Sequence, residues 1–224
     1  MTKRKILVIS GAAAFGAVFT GELLSFFLPV PQFPGYSRIM NVMSELGSSA
    51  SPISGIVSAW WIIMGILMIV FAIGFKTAYS PGNKYVEIAF WLLIIYGVGE
   101  GIGSGLFKFD MVRGKITISY FIHEVFGAAG IFAVVMLPYV TRRTDKLSAS
   151  RNFRIFSQIV LLLGFFLLLL FSVRYLAGES QKNLIINGLV KTVGLWQRLM
   201  LLVYYIYMAD IAVRMVRTAV RPDS

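Results

Sequence analysis

The chain has 224 residues, of which 58% are hydrophobic and 14% are charged, whereas about a quarter of a soluble globular domain is charged. It has no cysteine and one histidine, which excludes disulfides, thiolate nucleophiles, zinc–thiolate centres and a haem held by two histidines of one chain. The net charge of +11 does not indicate nucleic acid, because Lys and Arg flank apolar segments, as membrane topology requires.

Six apolar stretches follow one another along the chain, each about long enough to cross roughly 30 Å of hydrocarbon. They predict an all-α fold, a single domain over 1–224 that forms a polytopic membrane bundle of six transmembrane helices. The predicted helices cover about 6–28, 53–75, 86–107, 116–140, 156–173 and 192–213. The first stretch is too long for a signal peptide and lacks a cleavage site, so we expect a retained helix.

Lys and Arg are more frequent in the connections on the side of the N-terminus than in those on the other side. The positive-inside rule therefore predicts cytoplasmic termini in a multi-pass protein of the cell membrane. The longer outer connections are 29–52, which is rich in Pro, Gly and Ser, and 174–191, in which 184–186 predicts a short interfacial helix.

Ionisable side chains inside the predicted helices need a reason, because a charge is costly to bury in a membrane. At 1.5 Å per residue, five of them lie about 10 Å below the outer boundary. This polar layer consists of Glu22, Glu100, His123, Glu124 and Arg198. Asp210 lies nearer the cytoplasmic end, where Arg214, four residues on, can pair with it.

Two interpretations of the polar layer are open. In one, Arg198 neutralises a carboxylate and the other groups bond to Ser, Tyr and backbone, which makes a structural clasp between helices. In the other, the layer lines an outward pocket for a ligand, an ion or catalysis. Three carboxylates favour the pocket, because a clasp needs only one or two. Close together in a low dielectric they cannot all ionise cheaply, so at least one must be protonated or a cation must be present. The spacing matches no metal motif, although oxygen ligands and an imidazole would suit a divalent ion, and no cofactor is predicted.

Glycines alternate through the outer half of the third helix. Gly97, Gly101 and Gly105 share one face, and Gly99 and Gly103 share another. Small residues at this spacing let helices approach closely. The alternative is that the segment unwinds around a substrate, so that backbone groups line a cavity.

Three short motifs occur in order along the chain. They are Asn41-Val42-Met43-Ser44-Glu45-Leu46-Gly47, then Gly105-Leu106-Phe107-Lys108-Phe109-Asp110 with His123 following, and finally Gly194-Leu195-Trp196-Gln197-Arg198. Together they resemble the bacterial and archaeal membrane family catalogued as domain of unknown function 998, over nearly the whole chain. Lys108 stands where that family usually has proline, which predicts a less rigid turn.

The resemblance implies six membrane helices and no particular reaction. It also implies that six residues form one constellation on the outer side: Asn41, Ser44, Glu45, Asp110, His123 and Arg198. With the polar layer, the candidate ligand-binding residues are therefore Glu22, Asn41, Ser44, Glu45, Glu100, Asp110, His123, Glu124 and Arg198.

The leading functional hypothesis is binding or transport of a lipid or small molecule through an outward polar pocket. The expected partners are membrane lipids, and a homo-oligomer would supply helices that a six-helix transporter lacks. The alternative is an intramembrane enzyme acting on a lipid head group, with Asp110, His123 and Glu124 for acid–base chemistry and Ser44 as nucleophile. It is less favoured because the chain has one histidine and no metal spacing. A structural or regulatory membrane partner is the third hypothesis.

Overall fold

The computed structural model describes residues 1–27, 33–79, 82–112, 115–175 and 183–220. Within them, six helices are long and apolar enough to cross a membrane. They are Lys3–Phe27, Ser54–Tyr79, Lys84–Leu106, Ile118–Thr141, Arg151–Ser172 and Val193–Val220, called here the first to the sixth helix. The predicted all-α bundle of six membrane helices is confirmed, and the protein is a multi-pass integral membrane protein.

Some helices are longer than the apolar stretches that predicted them, because a capped first turn or a turn outside the hydrocarbon extends the helix. The fifth helix begins at Arg151 because the Ser150 side chain accepts a hydrogen bond from the Phe153 N–H. The sixth helix continues through Arg214 and Arg217, since a helix closes its own backbone hydrogen bonds outside the hydrocarbon as well. Leu28, the predicted end of the first helix, lies outside the described residues.

Shorter elements connect the helices. A 3₁₀ helix spans Met43–Gly47, and strands Met111–Val112 and Lys115–Ile116 pair antiparallel, with Met111 opposite Ile116. Helices also occur at Asp145–Ser148 and at Leu184–Val190, which includes the segment predicted to be interfacial.

The connections divide between two ends of the bundle. The end that carries residues 33–53, 107–117 and 183–192 is called the loop end. The opposite end, called the terminal end, carries the first turn of the first helix, where Arg4 donates to the carbonyl of Ala78 at 3.5 Å. Which end faces the cytoplasm stays a prediction, and Arg113, Lys182 and Arg221, three of the charges behind it, lie outside the described residues.

The interior is aromatic and the outer surface is apolar. The wholly buried Phe71 of the second helix packs against Phe15 of the first, with ring centroids 4.8 Å apart. The hydroxyls of Tyr96 and Tyr205 are hydrogen-bonded at 2.9 Å between the third and sixth helices. Large apolar side chains such as Ile63 and Phe166 remain exposed on the outside, as expected of a protein whose solvent is lipid.

The third helix changes geometry at its glycines, where Gly97–Gly103 form a π-helical segment. A Cβ on Gly101 would lie 2.4 Å from the Gly65 Cα in the second helix. A Cβ on Gly99 would lie 2.5 Å from the Phe126 carbonyl oxygen in the fourth. The two glycine faces therefore bring the third helix against two neighbours, and the segment stays helical instead of unwinding.

Candidate functional site

The His123 imidazole joins the fourth helix to the loop that precedes the second helix. Its Nδ1 lies 2.7 Å from the Phe107 carbonyl oxygen, and its Nε2 lies 3.0 Å from the Ser44 Oγ. Because a carbonyl only accepts, Nδ1 carries the proton and donates it to Phe107. In the neutral ring Nε2 is then an acceptor, and the Ser44 hydroxyl donates to it.

Asn41 and Glu45 shape the loop that presents Ser44. The Asn41 Nδ2 donates to the Glu45 Oε2 at 2.7 Å, and the Asn41 Oδ1 accepts from the Ser37 N–H at 2.8 Å. Burial raises the pKa of Glu45, while the hydrogen bonds from Asn41 and the Val42 N–H and the charge of Arg198 oppose that rise. Both side chains thus order the loop internally.

Arg198 fastens the same loop to the sixth helix. Its Nη1 donates to the carbonyl oxygens of Arg38 at 2.7 Å and Asn41 at 3.1 Å, and its Nη2 donates to the Tyr36 hydroxyl at 2.5 Å. Among the described residues it forms no ion pair with a carboxylate. The interpretation in which Arg198 neutralises an acid of the polar layer is therefore wrong.

Gln197 makes a second link from the sixth helix to this loop. Its Oε1 accepts from the Met43 N–H at 2.7 Å in a buried position. Gln197 stands inside the third sequence motif, which predicts no role for it. Its place beside Arg198 was the available signal, because consecutive residues at a helix start can reach one loop.

Asp110 and Lys108 hold the hairpin at the loop end. The Asp110 carboxylate accepts from both the N–H and the hydroxyl of Ser49, at 2.7 Å and 2.6 Å. The Lys108 N–H donates to the Ser119 hydroxyl at 2.7 Å, and its Nζ donates to the Ser54 hydroxyl at 2.6 Å. A proline at position 108 would lack the first of these donors, so Lys108 supplies two tethers that proline could not.

Glu124 is bonded to the segment that directly follows the fifth helix. Its Oε2 accepts from the Arg174 Nη2 at 2.8 Å and from the Tyr175 hydroxyl at 2.9 Å. In the sequence Arg174 is only one charge of an outer connection, because its pairing with Glu124 depends on how the fourth and fifth helices pack. The Arg174 guanidinium therefore neutralises the Glu124 carboxylate near the loop end of the bundle.

A cavity of about 270 Å³ lies between these groups. Its polar lining includes Ser44, Glu100, His123, Glu124, Arg174 and Gln197. Its apolar lining comes from the fourth and fifth helices and includes Ala128, Ile131, Phe132, Leu168 and Phe171. Phe132 is 63% exposed on the outside of the bundle, so the cavity reaches the lipid-facing surface between these two helices.

Glu22 and Glu100 flank a smaller chamber of about 20 Å³, which has room for about one water molecule. The Glu22 Oε1 accepts from the Trp60 Nε1 at 2.7 Å, and its side chain is buried. Glu100 lies in the π-helical segment and has no hydrogen-bond partner for its carboxyl within the described part of the chain. Glu100, Ser44 and Gln197 line both spaces.

The candidate residues thus separate into two groups. Ser44, Glu100, His123 and Glu124 line the cavity, and Glu22 lines the adjoining chamber. The other candidates support the loops around the cavity and do not line it: Asn41, Glu45, Asp110 and Arg198. Over the described ranges, no three His, Asp or Glu side chains are grouped so that they could hold a metal ion.

One comparison with known proteins is informative. The family described as "Protein of unknown function (DUF998)" matches residues 8–214. No curated protein and no solved structure matches the chain significantly.

Proposed function

The chain belongs to the family described as protein of unknown function (DUF998), and from its site we propose that it binds an amphiphilic lipid in the cavity at the loop end. The observation that carries the proposal is the division of the cavity wall. Polar groups, which include those of Ser44, Glu100 and His123, line one part of the wall, and apolar side chains of the fourth and fifth helices line another.

The volume indicates which part of the lipid is enclosed. Pockets that hold a whole small ligand measure about 300–1,000 Å³, so 270 Å³ suits a head group and the start of a chain. The remaining chain would leave past Phe132 into the surrounding lipid.

The charges indicate the chemistry of the head group. Two carboxyl groups, those of Glu100 and Glu124, line the cavity, and the Arg174 guanidinium beside them is already bonded to Glu124. A head group that donates hydrogen bonds, through hydroxyls or an amine, would satisfy the Glu100 carboxyl.

The test compares two neighbouring substitutions on the fourth helix. Ala128 and Ala129 are both exposed, but only Ala128 lines the cavity. We expect Ala128→Trp to lower the amount of lipid retained by at least about tenfold, and Ala129→Trp to retain wild-type amounts. Retained lipid is measured by native mass spectrometry of purified protein. Equal retention in both variants would contradict the proposal.

One observation favours a second candidate function, cleavage of an ester in the bound lipid. The Ser44 hydroxyl donates to His123 Nε2 while the Phe107 carbonyl fixes the tautomer, which is the arrangement of an activated serine. The Ser44 oxygen would attack the ester carbonyl as its proton passes to His123. His123 would return that proton to the departing alkoxide, and water would then hydrolyse the acyl-serine.

An alkyl fluorophosphonate tests this activity directly, because an activated serine displaces its fluoride. We expect a single adduct on Ser44, its loss in Ser44→Ala, and strong reduction in His123→Ala. Ser48→Ala is the control, since the Ser48 hydroxyl donates to the Glu45 carbonyl on the same loop. An unlabelled Ser44 in protein that retains lipid would reject the esterase and leave lipid binding in place.

A further inference from the structure

A second cavity, of about 370 Å³, lies at the terminal end of the bundle, whereas the lipid cavity lies at the loop end. Its wall comes from the end of the second helix, the segment before the fifth and the last turns of the sixth. The lining residues are Tyr79, Lys146, Leu147, Ala149, Ser150, Arg214, Arg217 and Thr218. It shares no lining residue with the lipid cavity.

The lining carries three cationic side chains and, among the described residues, no carboxylate. Lys146 and Arg217 are exposed and form no ion pair within the described ranges. Arg214 uses its Nε for Asp210, at 2.6 Å, which leaves the other edge of its guanidinium for a further acceptor. The cavity is therefore electropositive and rich in donors.

Tyr79 adds an observation that points to a ligand. Its side chain is only 4% exposed, and its hydroxyl has no hydrogen-bond partner among the described residues. A buried polar group left unpaired is unfavourable, and an acceptor in the cavity would remove that cost.

The fifth helix also begins at this cavity. Ser150, its N-cap residue, and Ala149 belong to the wall, so the positive end of the helix dipole lies beside the cationic side chains. Helix N-termini favour anions such as phosphate for this reason.

We propose that this cavity binds a phosphate group, presented by an anionic lipid of the adjoining leaflet or as the free ion. Phosphate matches the lining because its oxygens can accept two hydrogen bonds each from the guanidinium groups of Arg214 and Arg217. The Lys146 ammonium would add a single positive charge beside them. The remaining acceptor would pair with the Tyr79 hydroxyl.

The test measures thermal unfolding of the full-length protein in detergent at constant ionic strength. The probes are inorganic phosphate, a short-chain phosphatidic acid and a phosphatidylcholine with the same chains. The pocket variant is Lys146→Gln with Arg217→Gln. The control is Lys84→Gln with Arg143→Gln, which removes the same charge at the same end from residues outside the cavity.

We expect the pocket variant to bind phosphatidic acid at least about tenfold more weakly than the wild type and the control. Tyr79→Phe should weaken binding about two- to tenfold, the value of one hydrogen bond, and raise the melting temperature without ligand. Stabilisation by phosphatidic acid alone identifies the lipid as the source. Equal stabilisation by inorganic phosphate shows that the free ion suffices.

Three results would overturn the proposal: no stabilisation by either phosphate probe, equal weakening in the pocket and control variants, or wild-type affinity in Tyr79→Phe. Equal weakening would mean that the probes respond to the overall charge of the terminal end. Because none of these residues lines the lipid cavity, lipid retention there provides an independent check that each variant is folded.

Discussion

Substitution of Gly194 by alanine tests whether the loop that carries Ser44 depends on close approach to the sixth helix. A Cβ at this position would lie 2.2 Å from the Asn41 carbonyl oxygen and 2.7 Å from that of Arg38. Both atoms belong to backbone and both accept from Arg198, so the loop must move as a unit and its bonds to Arg198 must lengthen.

The magnitude follows from two opposing contributions. Overpacking of this kind costs about 1–3 kcal/mol. Alanine is favoured over glycine in a helix by up to about 1 kcal/mol, and less at position 194, near the helix start. We therefore expect a net loss of about 1–2 kcal/mol, which lowers the melting temperature of a chain of this length by about 2–8 °C.

The assay is thermal unfolding in detergent, followed by intrinsic fluorescence, together with lipid retention. Gly16→Ala is the matched control, because a Cβ on Gly16 in the first helix meets nothing within 4 Å. We expect the control to match or exceed the wild-type melting temperature. If Gly194→Ala melts with the control and retains lipid, the loop is not held by this contact and the reasoning fails.

Three further substitutions probe the other contacts of the site. Gly101→Ala should destabilise the protein by about 1–3 kcal/mol in the same unfolding assay, because its Cβ meets backbone of the second helix. Trp60→Phe should lower the melting temperature, since it leaves Glu22 buried without its donor, and the double variant with Glu22→Leu should recover most of that loss. Asp110→Ala should speed proteolysis at the loop end, because alanine can accept neither Ser49 donor, and unchanged cleavage would argue against this clamp.

The bundle was predictable because hydropathy and helix length depend on local sequence. The same rise per residue that sets the length of a helix also sets depth, so Glu100 and His123 could be expected at one level. The structure places both on one cavity, together with Glu124. The direction in which each side chain points at that depth depends on the rotation of its helix about its own axis. Local sequence gives little information about that rotation.

Arg198 illustrates that limit. Its depth matches that of the acids, and a charge inside a membrane is expected to find an opposite charge. Its long side chain instead reaches the loop carbonyls, a geometry created by the approach of Gly194 to Asn41. The π-helical segment around Glu100 was unpredictable for a related reason, because glycine spacing indicates close packing without specifying the hydrogen-bond register.

The contacts around Ser44 also indicate how a ligand would enter the cavity. The loop is bonded to the sixth helix through Arg198 and Gln197, to the fourth through His123 and to the hairpin through Asp110. Because the loop is held at so many points, it forms a fixed wall, and the apolar seam between the fourth and fifth helices is a route that does not require the loop to move. Since that seam faces lipid, it would admit the lipid that we propose as ligand directly from the membrane, without passage through water.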